Sequence, residues 1–258
     1  MMKTNNQLKK MSRWGVSKYI PMAFICVVAG IFFSSCHSWL HDHHHSNPLY
    51  WSYGVVHKTD SLVSISTDKG NKLYPNTSFK NMIKDGERYM LEYFIVNRVE
   101  PEAAMEVFEI SVYDYFKVLT KDIIPFEEAI SDSLGSDPVK VNHAWVANQY
   151  INFYFTYWGR NFNVKHMINL TQLPDVNEDG HIVMEFRHNA YGDPYTNQYR
   201  GMVSFPVESL VLPEGVDPST VKLIIKYLST NGEKSFEMDM NFSTEPDIEG
   251  GIENATLE

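Results

Sequence analysis

The chain has 258 residues, of which 43% are hydrophobic and 14% aromatic, and its formal net charge at pH 7 is −10. This composition predicts a globular body, because a long disordered chain would be poorer in apolar and aromatic residues. The negative charge argues against partners with anionic surfaces, nucleic acid above all.

The first 35 residues have the order of a secretory signal. Basic residues come first with no acidic residue among them, an apolar stretch covers 19–33, and two serines precede Cys36. This order predicts export, cleavage before Cys36 and acylation of Cys36, for example with palmitate. A permanent membrane helix would need about 20 apolar residues, more than this stretch offers. We therefore expect a protein that is lipid-anchored to the bacterial outer membrane. The sequence does not indicate which leaflet carries the anchor. Because Phe33 stands where an aliphatic residue is usual, a cleaved protein without a lipid is the alternative.

A chain that begins at Cys36 keeps 17 basic and 32 acidic side chains, a net charge of −15. It loses Cys26, so no disulfide or cysteine nucleophile is expected. Residues 36–46 are predicted to be a histidine-rich tether between the lipid and the folded body. Imidazole binds transition metals, so weak metal capture is the alternative to a simple spacer; the histidines concerned include His41, His43, His44 and His45.

Residues 47–119 show the period-two alternation of short β-strands separated by turns. Apolar side chains share one phase over 89–95 and again over 108–118, which predicts strands with one buried face. The segments 68–71 and 84–87 carry Asp-Lys-Gly and Lys-Asp-Gly and are predicted to be turns. About five strands in this length favour a small OB-like barrel. Nucleic-acid binding, which such barrels can support, is not expected here because the region carries a net negative charge.

The alternation breaks over 120–137, which we interpret as a linker into a second domain that covers 120–242. Alternation then returns in five segments, and Asn231-Gly232 is a strong hairpin signal. The sequence thus predicts an all-β protein in which an immunoglobulin-like β-sandwich follows the barrel. The last residues, 243–258, have five acidic and no basic side chains, and we expect a disordered tail.

Three segments resemble a known family: KDIIP at 121–125, DSLGSDPVK at 132–140 and EFRHNAYGD at 185–193. They are similar to segments of the NigD-like lipoproteins of the Bacteroidota, and the similarity extends from the signal to about Phe242. The resemblance implies an N-terminal OB-like domain, a C-terminal β-sandwich and an envelope lipoprotein whose biochemical role is not established. The family is named after a bacteriocin-associated locus, so immunity to a toxin is implied by association. The resemblance supplies no catalytic residues.

Two groups of residues could bind a small ligand. Arg187, His188, Asn189 and Asp193 form a dense polar cluster that could hold a carboxylate or sugar hydroxyls, or could simply shape a turn. A second group spaces oxygen ligands as in the start of a calcium loop, but the twelfth position is Phe186 rather than Glu, so a polar turn is the simpler interpretation; it consists of Asp175, Asn177 and Asp179.

No nucleophile elbow, zinc-protease helix or phosphate-binding loop is present in the sequence. We therefore predict a protein that is not an enzyme and needs no cofactor. The leading hypothesis is a non-catalytic module that binds a protein or glycan in the envelope, with Trp158 and Tyr195 as exposed aromatics that could serve it. The alternatives are an accessory or immunity lipoprotein and an envelope hydrolase that uses paired carboxylates or a metal.

Overall fold

The computed structural model describes residues 48–102, 105–161, 163–176, 180–212 and 220–240. The described chain is built from β-strands, and its helices are single turns of three or four residues. None of the described helices has the length or the apolar content needed to cross a bilayer. The predicted tail lies outside the described residues, as do the signal, Cys36 and the tether with His41, His43, His44 and His45.

The first part of the described chain forms a closed barrel with the strand order β1-β2-β3-β5-β4, closed by pairing of β4 with β1. Its interior is filled by the apolar phases expected from the sequence, with Leu91, Ile65 and Leu73 fully buried. The predicted small barrel is thus confirmed. Its elements are β1 (Leu49–Lys58), β2 (Val63–Thr67), β3 (Lys72–Pro75), α1 (Thr77–Lys80), β4 (Arg88–Glu102) and β5 (Met105–Lys117).

Strand β1 is buried on both of its faces, although the sequence suggested one. Val56 points into the barrel, whereas Tyr53, on the opposite phase, packs outside the barrel against Trp145 at a ring distance of 5.5 Å. Gly54 lies where a Cβ would come within 2.5 Å of Ile65 Cγ2. The outer face of β1 around Tyr53 is therefore covered by the second part of the chain.

The second part forms two sheets that share one apolar core. The five-stranded sheet has the order β14-β13-β11-β10-β7 and the four-stranded sheet the order β6-β12-β9-β8. The strands are β6 (Leu119–Thr120), β7 (Ile124–Pro125), β8 (Lys140–Ala147), β9 (Tyr150–Gly159), β10 (Met167–Val176), β11 (Ile182–Asn189), β12 (Asn197–Pro206), β13 (Lys222–Ser229) and β14 (Gly232–Asp239).

Aromatic rings join the two sheets. Phe153 of β9 stacks on Phe186 of β11 at 4.5 Å, and Phe155 meets the same ring edge-on at 5.2 Å. Each fully buried side chain of this size stabilises the fold by about 1.5–3 kcal/mol. The inward phases predicted for β9, β10, β11 and β13 supply this core, so the predicted β-sandwich is confirmed. Antiparallel pairs predominate, and β11 pairs in parallel with β13.

The segment interpreted as a linker is folded into the sandwich instead. Its two-residue strands β6 and β7 pair in parallel with β12 and β10. Ile123 and Leu134 are buried, and a 3-10 turn (Glu128–Ile130) leads into the helix α2 (Ser131–Leu134). Two-residue strands are too short to show a period, which is why the sequence pattern looked irregular.

Candidate functional site

A buried ion pair lies where the barrel meets the sandwich. Arg88, at the start of β4, donates to both carboxylate oxygens of Asp68, at 3.0 and 2.6 Å, and both side chains are fully buried. Arg88 also donates to Ser204 Oγ at 3.1 Å and to Asn152 Oδ1 at 2.9 Å. The guanidinium therefore joins a barrel turn to two sandwich strands.

The carboxylate of Asp68 accepts further bonds from the sandwich. Trp145 Nε1 donates to Oδ2 at 3.0 Å, and Asn148 Nδ2 donates to Oδ1 at 2.8 Å. Asn148 and Gln149 form the two-residue turn between β8 and β9, and both have positive φ. We call this set the junction network; it comprises Asp68, Arg88, Trp145, Asn148, Asn152 and Ser204. Since a buried charge is tolerated only when it is paired and hydrogen-bonded, this network fixes the barrel against the sandwich.

Nothing in the sequence alone identified the junction network. Asp68 was predicted only as a turn residue, and its partners lie between 20 and 80 positions away along the chain. Asn152 occupies the polar phase of β9, which sequence patterning assigns to solvent. The sequence alone therefore gives no sign of this buried site, because the site forms only where the barrel packs against the sandwich.

The four predicted ligand-binding residues lie together on β11 and the turn that follows it. Arg187 donates to the carbonyl oxygens of Gly135 at 2.7 Å and Ser131 at 3.1 Å, and to Glu185 at 3.0 Å. Asn189 donates to Ser133 O at 2.9 Å. Both side chains thus attach the α2 segment to β11, and both residues are partly buried.

His188 and Asp193 belong to a buried chain of side chains centred on His166. His166 Nδ1 lies 3.0 Å from His188 Nε2, and His166 Nε2 lies 3.3 Å from Asp193 Oδ2. Because an ionised carboxylate can only accept, His166 donates from Nε2 to Asp193. In the contact between the two rings one nitrogen donates and the other accepts, and the buried Nδ1 of His188 makes no hydrogen bond of good geometry among the described residues. His166 is thus a buried and hydrogen-bonded histidine of the sandwich.

The two ends of this chain have opposite electrostatics. Burial, followed by the nearby His166, lowers the pKa of His188 to about 4, against the opposing effects of the Asp137 charge and of the backbone groups of Pro138 and Asp137. Burial disfavours ionisation of Asp193, but the backbone amides of Asn161 and Arg160 and the side chain of His166 outweigh it and hold its pKa below the ordinary value. Those amides lie 3.1 and 2.7 Å from Asp193 Oδ2. His188 is therefore neutral and Asp193 charged at pH 7.

Gly159 makes room for this contact. A Cβ at position 159 would approach within 2.5 Å of Asp193 Oδ2 and 3.0 Å of His166 Cε1. Only a residue without a side chain lets the carboxylate reach the imidazole here. All four residues of the cluster proposed from the sequence thus make hydrogen bonds within the fold.

A groove opens beside this cluster, on the five-stranded sheet. It has a volume of about 440 Å³ and is lined by β11, β13, β14 and the segment after α2. Arg187 and His188 contribute to its wall. Lys226, Glu233 and Lys234 are exposed at the groove and form no ion pair within the described residues. Cavities of this size commonly hold ligands.

Two of the carboxylates that line the groove already have partners within the fold. Asp137 Oδ2 accepts from the amide of Ala190 at 2.7 Å, and Glu185 pairs with Arg187. Glu233 is exposed on the edge strand. The contacts of Asp137 and Glu185 hold the end of β11 in place.

The two aromatic residues singled out in the sequence are brought together. Trp158 at the end of β9 stacks on Tyr195 at a ring distance of 4.6 Å and an interplanar angle of 24°. Trp158 is half-buried and Tyr195 is 48% exposed. Trp158 belongs to the four-stranded sheet and Tyr195 to the segment before β12, and neither residue lines the groove.

The described residues contain no group of three or more His, Cys, Asp or Glu side chains placed to hold a metal ion. The predicted calcium residues fall outside this statement. Asn177 and Asp179 are outside the described residues, and for Asp175 only the backbone is described. Gly180, the next described residue, has a φ of +77°, a left-handed conformation that glycine adopts without strain.

Comparison with known proteins gives a consistent result. A sequence model of the NigD-like C-terminal beta sandwich domain matches residues 122–240. A crystal structure from Parabacteroides distasonis, provisionally described as toxin-related, is 31% identical, with a TM-score of 0.60; the alignment covers 74% of this chain and 92% of that one. A search of curated proteins found no match.

Two further solved structures share the fold at lower identity. A NigD-like immunity protein from Bacteroides caccae is 19% identical with a TM-score of 0.52, over 76% of this chain and 94% of that one. A provisionally described lipoprotein from Bacteroides fragilis is 11% identical with a TM-score of 0.56, over 76% and 100% of the two chains.

Proposed function

This chain belongs to the NigD-like family, as its three sequence segments predicted, and from this premise we propose that it is a lipid-anchored envelope protein that binds a protein or glycan partner without catalysing a reaction. The signal-like order that ends at Cys36 supports export and anchoring. The lipoprotein description of the Bacteroides fragilis neighbour is in line with this.

The groove on the five-stranded sheet carries the proposal. Its floor is fixed, because Arg187 and Asn189 tie the α2 segment to β11 and hydrogen-bonded strands form the rest. Its rim bears Lys226, Lys234 and Glu233, whose charges have no ion-pair partner in the described chain. A rigid floor with adaptable polar groups at its rim suits recognition, since little order has to be created on binding.

The charges of the groove favour a polar partner over an apolar one. Lysines, a glutamate and the hydroxyl groups of Ser136 and Ser235 offer donors and acceptors of both kinds. A peptide segment or a chain of sugars presents matching groups.

The proposal can be tested by in-cell crosslinking of the full lipidated protein followed by capture from its own membrane. The double variant K226A/K234A should reduce the yield of a defined partner by roughly tenfold or more, because the loss of even one charge-assisted hydrogen bond is equivalent to about a tenfold change in affinity. K222A is the matched control, since Lys222 lies on β13 and already pairs with Glu237 at 3.2 Å. Equal capture by all three proteins would rule out the groove.

The anchor has its own test. Cys36→Ser should move the protein from the membrane to the soluble fraction, and mass spectrometry of the wild-type N-terminus should find an acylated cysteine. A cleaved chain with an unmodified N-terminus would show that the protein is secreted without a lipid anchor.

An immunity or accessory role is the second candidate, and the similarity to the Bacteroides caccae immunity protein and to the toxin-related structure is the observation that favours it. Deletion should make the cells sensitive to a toxin of their own community, and this chain alone should restore resistance. Unchanged sensitivity after deletion would exclude immunity against the toxin used.

A further inference from the structure

The two most exposed large hydrophobic side chains of the described residues occupy bulges of one hairpin. Tyr113 is 68% exposed and Val96 is 67% exposed. Tyr93 pairs with Val112 while Glu92 pairs with Asp114, so Tyr113 is the extra residue of its strand. Ile95 and Asn97 pair with Ile110 and Glu109, which leaves Val96 as the extra residue on the opposite strand. Bulges redirect side chains, and here each presents an apolar one to solvent.

These residues have apolar neighbours on the outer face of the barrel. Phe94 contacts Tyr113 edge-on at 5.9 Å and pairs across β1 with Leu49, which is 47% exposed. The apolar surface therefore extends across three strands. We call it the barrel patch; it comprises Leu49, Phe94, Val96 and Tyr113.

The barrel patch lies where the chain enters the described fold. Leu49 follows Cys36 by thirteen residues, a length that spans at most about 45 Å. A lipid on Cys36 would hold the patch close to the membrane at all times. At the high effective concentration that such a tether creates, a surface too weak to bind lipid by itself would be occupied.

The size and the charge of the barrel patch limit which partner can cover it. Four side chains are fewer than a stable protein interface uses, since such interfaces bury about 1,200 Å² or more. Tyrosine with aliphatic neighbours is typical of surfaces that rest at the lipid headgroups. Glu92, Asp114 and Glu109 lie beside the patch and would be repelled by anionic lipid.

From this placement we infer that the barrel patch docks the folded body onto a neutral phospholipid surface. The inference rests on the lipid anchor of the proposed function and adds an orientation to it. The groove and the aromatic pair Trp158–Tyr195 belong to the sandwich, and neither is part of the patch that contacts the membrane. The patch works as a second, weak contact that the anchor makes effective.

The experiment uses the full lipidated protein in phosphatidylcholine–phosphatidylethanolamine vesicles that contain brominated lipid. An environment-sensitive fluorophore is attached to Asn97→Cys, beside Val96, or to Gln198→Cys on the sandwich as the matched control. The sequence has no cysteine beyond Cys26 and Cys36, so each label is unique once Cys36 is acylated. The label at 97 should be quenched several-fold more strongly than the label at 198, and phosphatidylglycerol should weaken the effect.

Two variants complete the test. Val96→Ser with Tyr113→Ser should return the label at 97 to water, whereas Val211→Ser with Tyr191→Ser, which removes comparably exposed side chains from the sandwich, should not. Equal quenching at 97 and 198 in protein that is acylated and incorporated would overturn membrane docking and leave the anchor intact. Protein that is not acylated would fail earlier, at incorporation, and would contradict the proposed function instead. Retained quenching in the Val96/Tyr113 variant would also contradict the role of the patch.

Discussion

The junction network and the groove both contain charged side chains. At the junction these side chains are buried and paired, whereas at the rim of the groove they are exposed. At the junction, Asp68 and Arg88 are completely buried and share six hydrogen bonds with each other and with sandwich side chains. At the groove, Lys226 and Lys234 remain exposed without an ion pair among the described residues. The buried set holds the two parts of the molecule together, and the exposed set is available to something else.

The His166 chain lies between these extremes. It is as buried as the junction network, yet His188 Nδ1 makes no hydrogen bond of good geometry in the described chain. A buried polar atom without a hydrogen bond costs about 1–3 kcal/mol. The protein therefore has a fully satisfied site, a partly satisfied site and an open one, and the effect of a mutation should decrease in that order.

The largest effect is expected from breaking the junction network. Arg88→Ala would leave the Asp68 carboxylate buried without its counter-ion, which typically costs 3–5 kcal/mol of unfolding free energy. Urea unfolding followed by tryptophan fluorescence would measure it, because Trp145 donates directly to Asp68.

Arg98→Ala is the matched control for that measurement. Arg98 belongs to the same strand and pairs with Glu106, but the two side chains are 68% and 51% exposed. Exposed pairs contribute less than about 1 kcal/mol. Similar losses for Arg88 and Arg98 would mean that the junction is no more important to stability than a surface ion pair.

The next effect concerns pH and the partly satisfied site. His188 has a pKa of about 4 in the folded protein and about 6.5 when unfolded, so the unfolded chain binds a proton first. Stability should therefore be complete above pH 6.5 and fall by about 3 kcal/mol as the pH drops to 4. Chemical unfolding at a series of pH values would show it.

His188→Gln serves as the control, since glutamine keeps a hydrogen-bond donor for His166 but does not titrate in this range. The variant should lose most of the slope between pH 6.5 and 4. A slope as steep as that of the wild type would assign the pH dependence to other groups.

A smaller loss is expected at Gly159. An alanine Cβ would collide with Asp193 Oδ2, and forced repacking of this kind costs about 1–3 kcal/mol. Gly159→Ala and Asp193→Asn should each destabilise the protein, as measured by thermal or urea unfolding. If both act on the same contact, the double variant should lose less than the sum of the two. Strict additivity would show that Gly159 has another role.

The sequence was most informative for the alternating β-strands and least informative for the contacts that join distant segments of the chain. The alternation over β4 and β9 identified the side chains of both cores, since Leu91, Phe153 and Phe155 are buried as expected. Arg187 and Asn189 were recognised as a polar cluster, but their bonds to carbonyls of 131–135 depend on a short helix with no periodic signal.

The bulges of the β4–β5 hairpin were equally hidden from the sequence. Tyr113 and Val96 read as ordinary members of alternating strands, and only the register of β4 against β5 shows that each is an extra residue. Such features depend on pairing between strands rather than on local propensity, so a single sequence does not contain them.

The smallest effect on stability is expected at the groove, and this is the sharpest test of the contrast with the junction. K226A/K234A removes two exposed cations without ion-pair partners in the described chain, so the unfolding free energy should stay within about 0.5 kcal/mol of the wild type. The same variant should lose capture of the partner. Stability and binding are thus expected to separate at the groove, whereas Arg88→Ala would affect binding only through unfolding. If K226A/K234A lowered stability by as much as Gly159→Ala, the two lysines would be structural residues, and the groove would no longer be distinguished from the rest of the polar surface.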